Sequence, residues 1–194
     1  MAFGRAALVI GGILAAAPTT AETLRIAAFN ASMNRDTAGA LAGALATPDD
    51  PQIAAIASVI LEAAPDILLT NEFDYAEGSA ALFVETYLDG MYPYTFEAPS
   101  NTGLASGIDL DGDGLIGTEG IAYANDAFGF GFFEGQFGMA VLSRHPIDIG
   151  ALRTFQTFRW ADMPGARLPQ NEDGSSYYSA EALEIFRLSS KSHW

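Results

Sequence analysis

Asn30 and Glu72 are the side chains best suited to chemistry in this chain. The first closes the apolar run Leu24-Arg25-Ile26-Ala27-Ala28-Phe29-Asn30, and the second follows Ile67-Leu68-Leu69-Thr70 within Asn71-Glu72-Phe73-Asp74. A carboxylate at a strand end is a hard ligand for Mg2+ or Mn2+, and a neighbouring amide can orient phosphate or water. Hydrolysis of a phosphate ester needs that combination: a divalent cation to neutralise phosphoryl oxygens, and an activated water in line with the leaving group. Spacing alone leaves a plainer reading open, in which Asn30 begins a turn and Glu72 is merely solvated.

A second constellation is Asp109-Leu110-Asp111-Gly112-Asp113-Gly114-Leu115-Ile116. Carboxylates at alternate positions followed by glycine converge on one hard cation, the glycine allowing the sharp turn, so the expected ligand is a structural Ca2+. Ile116 stands where such a loop carries its apolar anchor. A full loop of this type wants Glu at its twelfth position, whereas here the twelfth is Gly120 and Glu119 falls one early. The expected Ca2+ ligands are therefore Asp109, Asp111, Asp113 and Glu119, against the alternative of an acidic surface turn. The run Phe128-Gly129-Phe130-Gly131-Phe132-Phe133 reads as a tightly packed loop rather than a stacking or membrane-touching surface. Arg187 and Lys191 are expected to face solvent, against the alternative that they meet phosphate.

The elements that position these groups are legible from pattern. Asp49-Asp50-Pro51 opens a helix, with acids at the positive end of its dipole and proline in its first turn. Ile53, Ile56, Ile60 and Ala64 then share one face, and Pro65-Asp66 ends it. Ile67 to Thr70 follows as a strand, giving a strand–helix–strand unit between Asn30 and Glu72. Ser79 is expected to cap a helix ending at Asp89-Gly90. Tyr92 to Gly135 shows little periodicity and reads as a long ordered insertion. Phe137 to Ser143 is a strand, Ile147 to Phe158 another, and Pro164 to Ser176 a loop. Ser179 caps a short helix leading into Ile185-Phe186-Arg187-Leu188.

Composition bounds the rest. The chain of 194 residues is 49% apolar and 17% charged, enough for one core and unlike a disordered tail. Arg5, the apolar stretch from Ala6 to Ala17 and the small residues Pro18-Thr19-Thr20-Ala21 have the layout of a secretory signal. Residues 1–21 are thus expected to be removed and the remainder exported, to the periplasm or the medium. Losing Arg5 takes the net charge from −15 to −16. A chain this acidic is repelled by polyanions, which disfavours duplex DNA as a partner. Cysteine is absent, so an exported fold holds together without disulfides. No segment beyond the leader is apolar enough to span a membrane.

Taken together, Leu24 to Asn30, the Gln52-to-Glu72 unit and Gly138-Met139-Ala140-Val141-Leu142-Ser143-Arg144-His145-Pro146-Ile147 resemble the endonuclease/exonuclease/phosphatase superfamily, closest to its exported bacterial branch. The blocks Pro99 to Gly103, Asp126 to Gly131, Arg153 to Phe155, Trp160 to Ala166 and Arg187 to Trp194 look like that branch too. The resemblance implies an α/β (α+β) fold, a four-layer α/β/β/α sandwich, and hydrolysis of phosphate esters dependent on Mg2+ or Mn2+. It maps a metal-ligating glutamate onto Glu72 and an asparagine that helps hold metal and phosphate onto Asn30. The catalytic histidine, Asp-x-Asn pair and closing Asp-His of that superfamily lie further along than Trp194; His145 and His193 match none of them. Residues 22–194 are therefore expected to be the N-terminal part of a single domain and inactive alone. The alternative from another class is a non-catalytic, Ca2+-stabilised extracellular binding domain.

Overall fold

The computed structural model describes residues 23–185. The expected leader and the stretch from Arg187 to Trp194, with His193 and Lys191, lie outside the described residues. Four strands form one mixed sheet in the order β1-β2-β4-β3: β1 is Ile26–Met33, β2 is Ile67–Phe73, β3 is Tyr94–Glu97 and β4 is Met139–Ser143. β1 and β2 run parallel, while β4 is antiparallel to both β2 and β3. The carboxyl ends of β1 and β2 and the start of β4 therefore share one rim.

The parallel pair needs a crossover, and α2 (Pro51–Ala63) supplies it after a short α1 (Ala40–Leu45). Asp50 caps α2 by accepting from the N–H groups of Gln52 at 2.9 Å and Ile53 at 3.0 Å. Ile53, Ile56 and Ile60 pack into the core with Leu41, Leu45, Leu68, Phe83, Leu88 and Leu142. The helices cover the sheet face carrying Ala31, Met33, Leu68, Ala140 and Leu142; on the opposite face of β1, Ile26 is 70% exposed. A mixed sheet layered with helices is thus established. Tyr92 buries its ring at the far end of β2, donating to the Pro65 carbonyl at 3.0 Å.

Several elements differ from expectation. The helix α3 spans Ser79–Tyr87, but Ser79 lies inside it and the N-cap is Gly78 at φ 84, without a local side-chain cap. Its cap is tertiary: the Glu97 carboxylate at the end of β3 accepts from the N–H of Gly78, from Ala80 N–H at 2.8 Å and from Ser79 Oγ at 3.1 Å. β3 itself lies within the segment read as aperiodic, because four residues on a sheet edge are too few to show alternation. The strand expected over Ile147 to Phe158 does not form. That stretch carries a 3-10 turn at Ile149–Ala151 and otherwise runs as loop, its apolar side chains Ile149, Phe155 and Phe158 exposed. A further helix, α4, spans Gly120–Asp126, and α5 spans Ala180–Ile185 behind Ser179, whose Oγ accepts from Ala182 N–H at 3.0 Å.

Candidate functional site

Strict alternation would send Glu72 into the core beside Leu68 and Thr70. It does not go there. Thr70 and Phe73 are the buried residues at this end of β2, three positions apart rather than two, and Glu72 between them has φ 57. Asn30 pairs with Asn71 and Met33 with Phe73, so three steps of β1 lie against two of β2. Ser32 at φ 47 and Glu72 take up this mismatch in left-handed conformations, which cost energy for residues other than glycine. The bulge turns the Glu72 carboxylate toward the neighbouring strand, where Asn30 Nδ2 donates to Glu72 Oε1 at 2.8 Å. Asn30 Oδ1 in turn accepts from the Ser32 N–H at 3.1 Å.

This arrangement is two oxygen-bearing side chains at a sheet rim, with Glu72 half-buried and Asn30 exposed. The donor set is hard, and Mg2+ keeps several waters while binding through one or two carboxylates. One carboxylate held in orientation by an amide fits such an ion. Around the pair the rim is fastened by a buried carboxylate. Asp74 accepts from Arg35 N–H at 2.7 Å and from Phe137 N–H at 2.9 Å. Burial pushes its carboxyl above the ordinary aspartate value, against the lowering by those two amides. Nothing in residue type or spacing set Asp74 apart from a solvated acid; only its two backbone donors do.

Among the described residues the one histidine, His145, is not at this rim. It follows β4, its backbone N–H donating to Ser143 Oγ at 3.0 Å, and Ser143 pairs with Ile67 at the opposite end of β2. The phenylalanine run is looped as expected but not wholly packed: Phe130 and Phe132 are exposed, meeting edge to face at 5.5 Å.

The second acidic group is composed differently from its sequence pattern. Asp109, Asp111 and Asp126 bring one carboxylate oxygen each within 4.8 Å of one another. Asp113 instead accepts from Leu115 N–H at 2.8 Å, and Glu119 is the N-cap residue of α4. Asp126, buried, takes the closing place, accepting from the N–H groups of Leu110 and Gly117 at 2.7 Å each. It lies seventeen places beyond Asp109 and so outside the twelve-residue pattern; α4 brings it back. Ile116 is 56% exposed and anchors nothing. Asp109 Oδ1 and Oδ2 accept from Gly112 and Gly114, and Asn125 Nδ2 donates to Asp111 Oδ2 at 2.8 Å.

With this geometry in place, comparison with known proteins gives one result. The model of the Endonuclease/Exonuclease/phosphatase family matches residues 27–192, most of the chain. No curated protein and no solved structure matches it. No helix among the described residues is long and apolar enough to cross a membrane.

Proposed function

The chain belongs to the Endonuclease/Exonuclease/phosphatase family, and on that premise we propose that its Asn30–Glu72 rim holds the divalent cation and the phosphoryl group of a phosphate ester. Membership makes it a hydrolase-family protein acting on phosphoester bonds with a divalent metal. The finer assignment of residues is carried by one observation, the 2.8 Å bond from Asn30 Nδ2 to Glu72 Oε1 across the bulge. A strand does not adopt two left-handed residues to expose an ordinary surface acid, since each costs about 1–3 kcal/mol.

In this reading Glu72 ligates Mg2+ or Mn2+ through its carboxylate, and Asn30 orients that carboxylate and meets phosphate or water. The cation, when bound, neutralises charge on the phosphoryl oxygens. No histidine among the described residues reaches the rim, so the described part is assigned metal and phosphate holding and not proton abstraction. Exported, in the periplasm or the medium, such a protein takes phosphodiesters or phosphomonoesters, with duplex DNA disfavoured by a net charge of −16 once residues 1–21 are removed. The test is Mn2+ binding by calorimetry or paramagnetic resonance: affinity falls steeply in Glu72→Gln, and equal affinity in both chains would remove Glu72 from the site.

A second reading concerns the loop. The convergence of Asp109, Asp111 and Asp126 supports a structural Ca2+ there, which is also what a non-catalytic extracellular binding domain would need. That alternative keeps the same fold, and the Asn30–Glu72 pair is the observation that favours the hydrolase over it.

A further inference from the structure

Asp74 lies two residues beyond Glu72, and it is 4% exposed. Its two oxygens are used on backbone: Oδ2 accepts from Arg35 N–H at 2.7 Å and Oδ1 from Phe137 N–H at 2.9 Å. Arg35 belongs to the chain leaving β1, and Phe137 to the chain entering β4. One side chain thus spans the end of β2 and fastens the segments on both sides of it. Gln136, 2% exposed, closes the ring, donating from Nε2 to the Arg35 carbonyl at 2.7 Å and accepting from Phe132 N–H at Oε1, also 2.7 Å. Arg35 therefore has both its backbone N–H and its carbonyl held by buried side chains.

Burying a carboxylate is unfavourable unless donors meet it, so a fold retains one where the bonds do something an apolar residue would not. The object being held is visible here. Glu72 at φ 57 and Phe137 at φ 55 are both left-handed, with Phe73 N–H bonded to the Gly138 carbonyl at 3.1 Å between them. Such backbones persist only where their surroundings over-determine them.

We propose that Asp74 is a positioning residue for Glu72: by strapping Arg35 and Phe137 across the end of β2, it maintains the bulge that turns the Glu72 carboxylate toward Asn30. The inference rests on the reading of Glu72 as a cation ligand. Asparagine at 74 keeps the shape but opposes an NH2 group to one of the two N–H donors, so one strap is lost.

The experiment is Mn2+ titration of the full chain, with Asp111→Ala present throughout to silence the acidic loop. Asp74→Asn is expected to weaken Mn2+ affinity by about tenfold, as loss of a group supporting a metal ligand does. Tyr92→Leu, which removes the bond to Pro65 at the other end of β2, lowers the melting temperature but leaves the affinity within about twofold. Unchanged affinity in Asp74→Asn, or an equal loss in Tyr92→Leu, overturns the proposal. Should Asp74→Asn not fold, Gln136→Leu, which frees the Arg35 carbonyl, is read by the same two criteria. Equal Mn2+ binding by the parent and Glu72→Gln is a different failure: it removes the metal reading itself, and this inference with it.

Discussion

Asn30 and Glu72 stand 42 positions apart in sequence and 2.8 Å apart between Nδ2 and Oε1, joined across two parallel strands. The bond engages one oxygen of the Glu72 carboxylate and orients the group. Asn30→Ala should therefore weaken Mn2+ binding less than Glu72→Gln does, because it removes an orienting contact and not the ligand. Calorimetry on the two variants checks the order; a larger loss in Asn30→Ala would contradict it.

Hydrolysis of a chromogenic phosphodiester with Mg2+ or Mn2+ should be lost in Glu72→Ala, because Glu72 is the proposed cation ligand. Turnover retained in that variant would remove Glu72 from the site.

Asp50 caps α2 and pairs with Arg35 at 2.9 Å. The Ile53 N–H, before the Arg35 charge, holds its carboxyl below the ordinary value. A lowered carboxyl binds its proton more weakly folded than unfolded. Its stabilisation is present above about pH 4 and is lost as pH falls through the folded value. Asp50→Ala should cost about 0.5–2 kcal/mol at neutral pH, mostly for the cap, because the partly exposed ion pair is screened. It should also flatten the acid limb of a denaturant-derived stability curve.

Two glycines give opposite expectations. A Cβ on Gly103 would stand 1.8 Å from the Phe133 carbonyl oxygen, at φ 70, so Gly103→Ala should disrupt the aromatic loop. Gly43 lies within α1 with nothing within 4 Å of a built Cβ, and Gly43→Ala should stabilise by about 0.5–1 kcal/mol. Urea unfolding of both variants decides the pair.

Ca2+ should raise the melting temperature of the chain. Asp126→Asn should abolish most of that rise and Asp113→Ala little of it, because Asp126 and not Asp113 faces Asp109 and Asp111. The reverse ranking would restore the linear twelve-residue pattern.

The contrast between Asp113 and Asp126 shows how far residue order carries the argument. Where chemistry is written locally, in the Asp50-Pro51 helix start or the apolar runs of β1 and β2, pattern located the elements within a few residues. The pairing of Asn30 with Glu72 was legible because parallel strands joined by one helix bring their ends to the same rim. The bulge was not, since alternation predicts Glu72 inward and only the left-handed backbone reverses it. Asp74, Glu97 and Asp126 escaped because each acts on backbone N–H groups distant in sequence, and a carboxylate carries no mark of its acceptors. The failed strand over Ile147 to Phe158 is the converse: apolar content without a partner strand does not make a sheet.

Glu97 gives the outermost strand a hold on a helix. Because α3 begins on an acceptor borrowed from β3, neither is an independent cooperative unit: peeling the edge strand away uncovers the helix's first turn. Amide exchange at Ala80 should thus report detachment of residues 94–97, and the two segments should open to solvent as one event well before the central strands do.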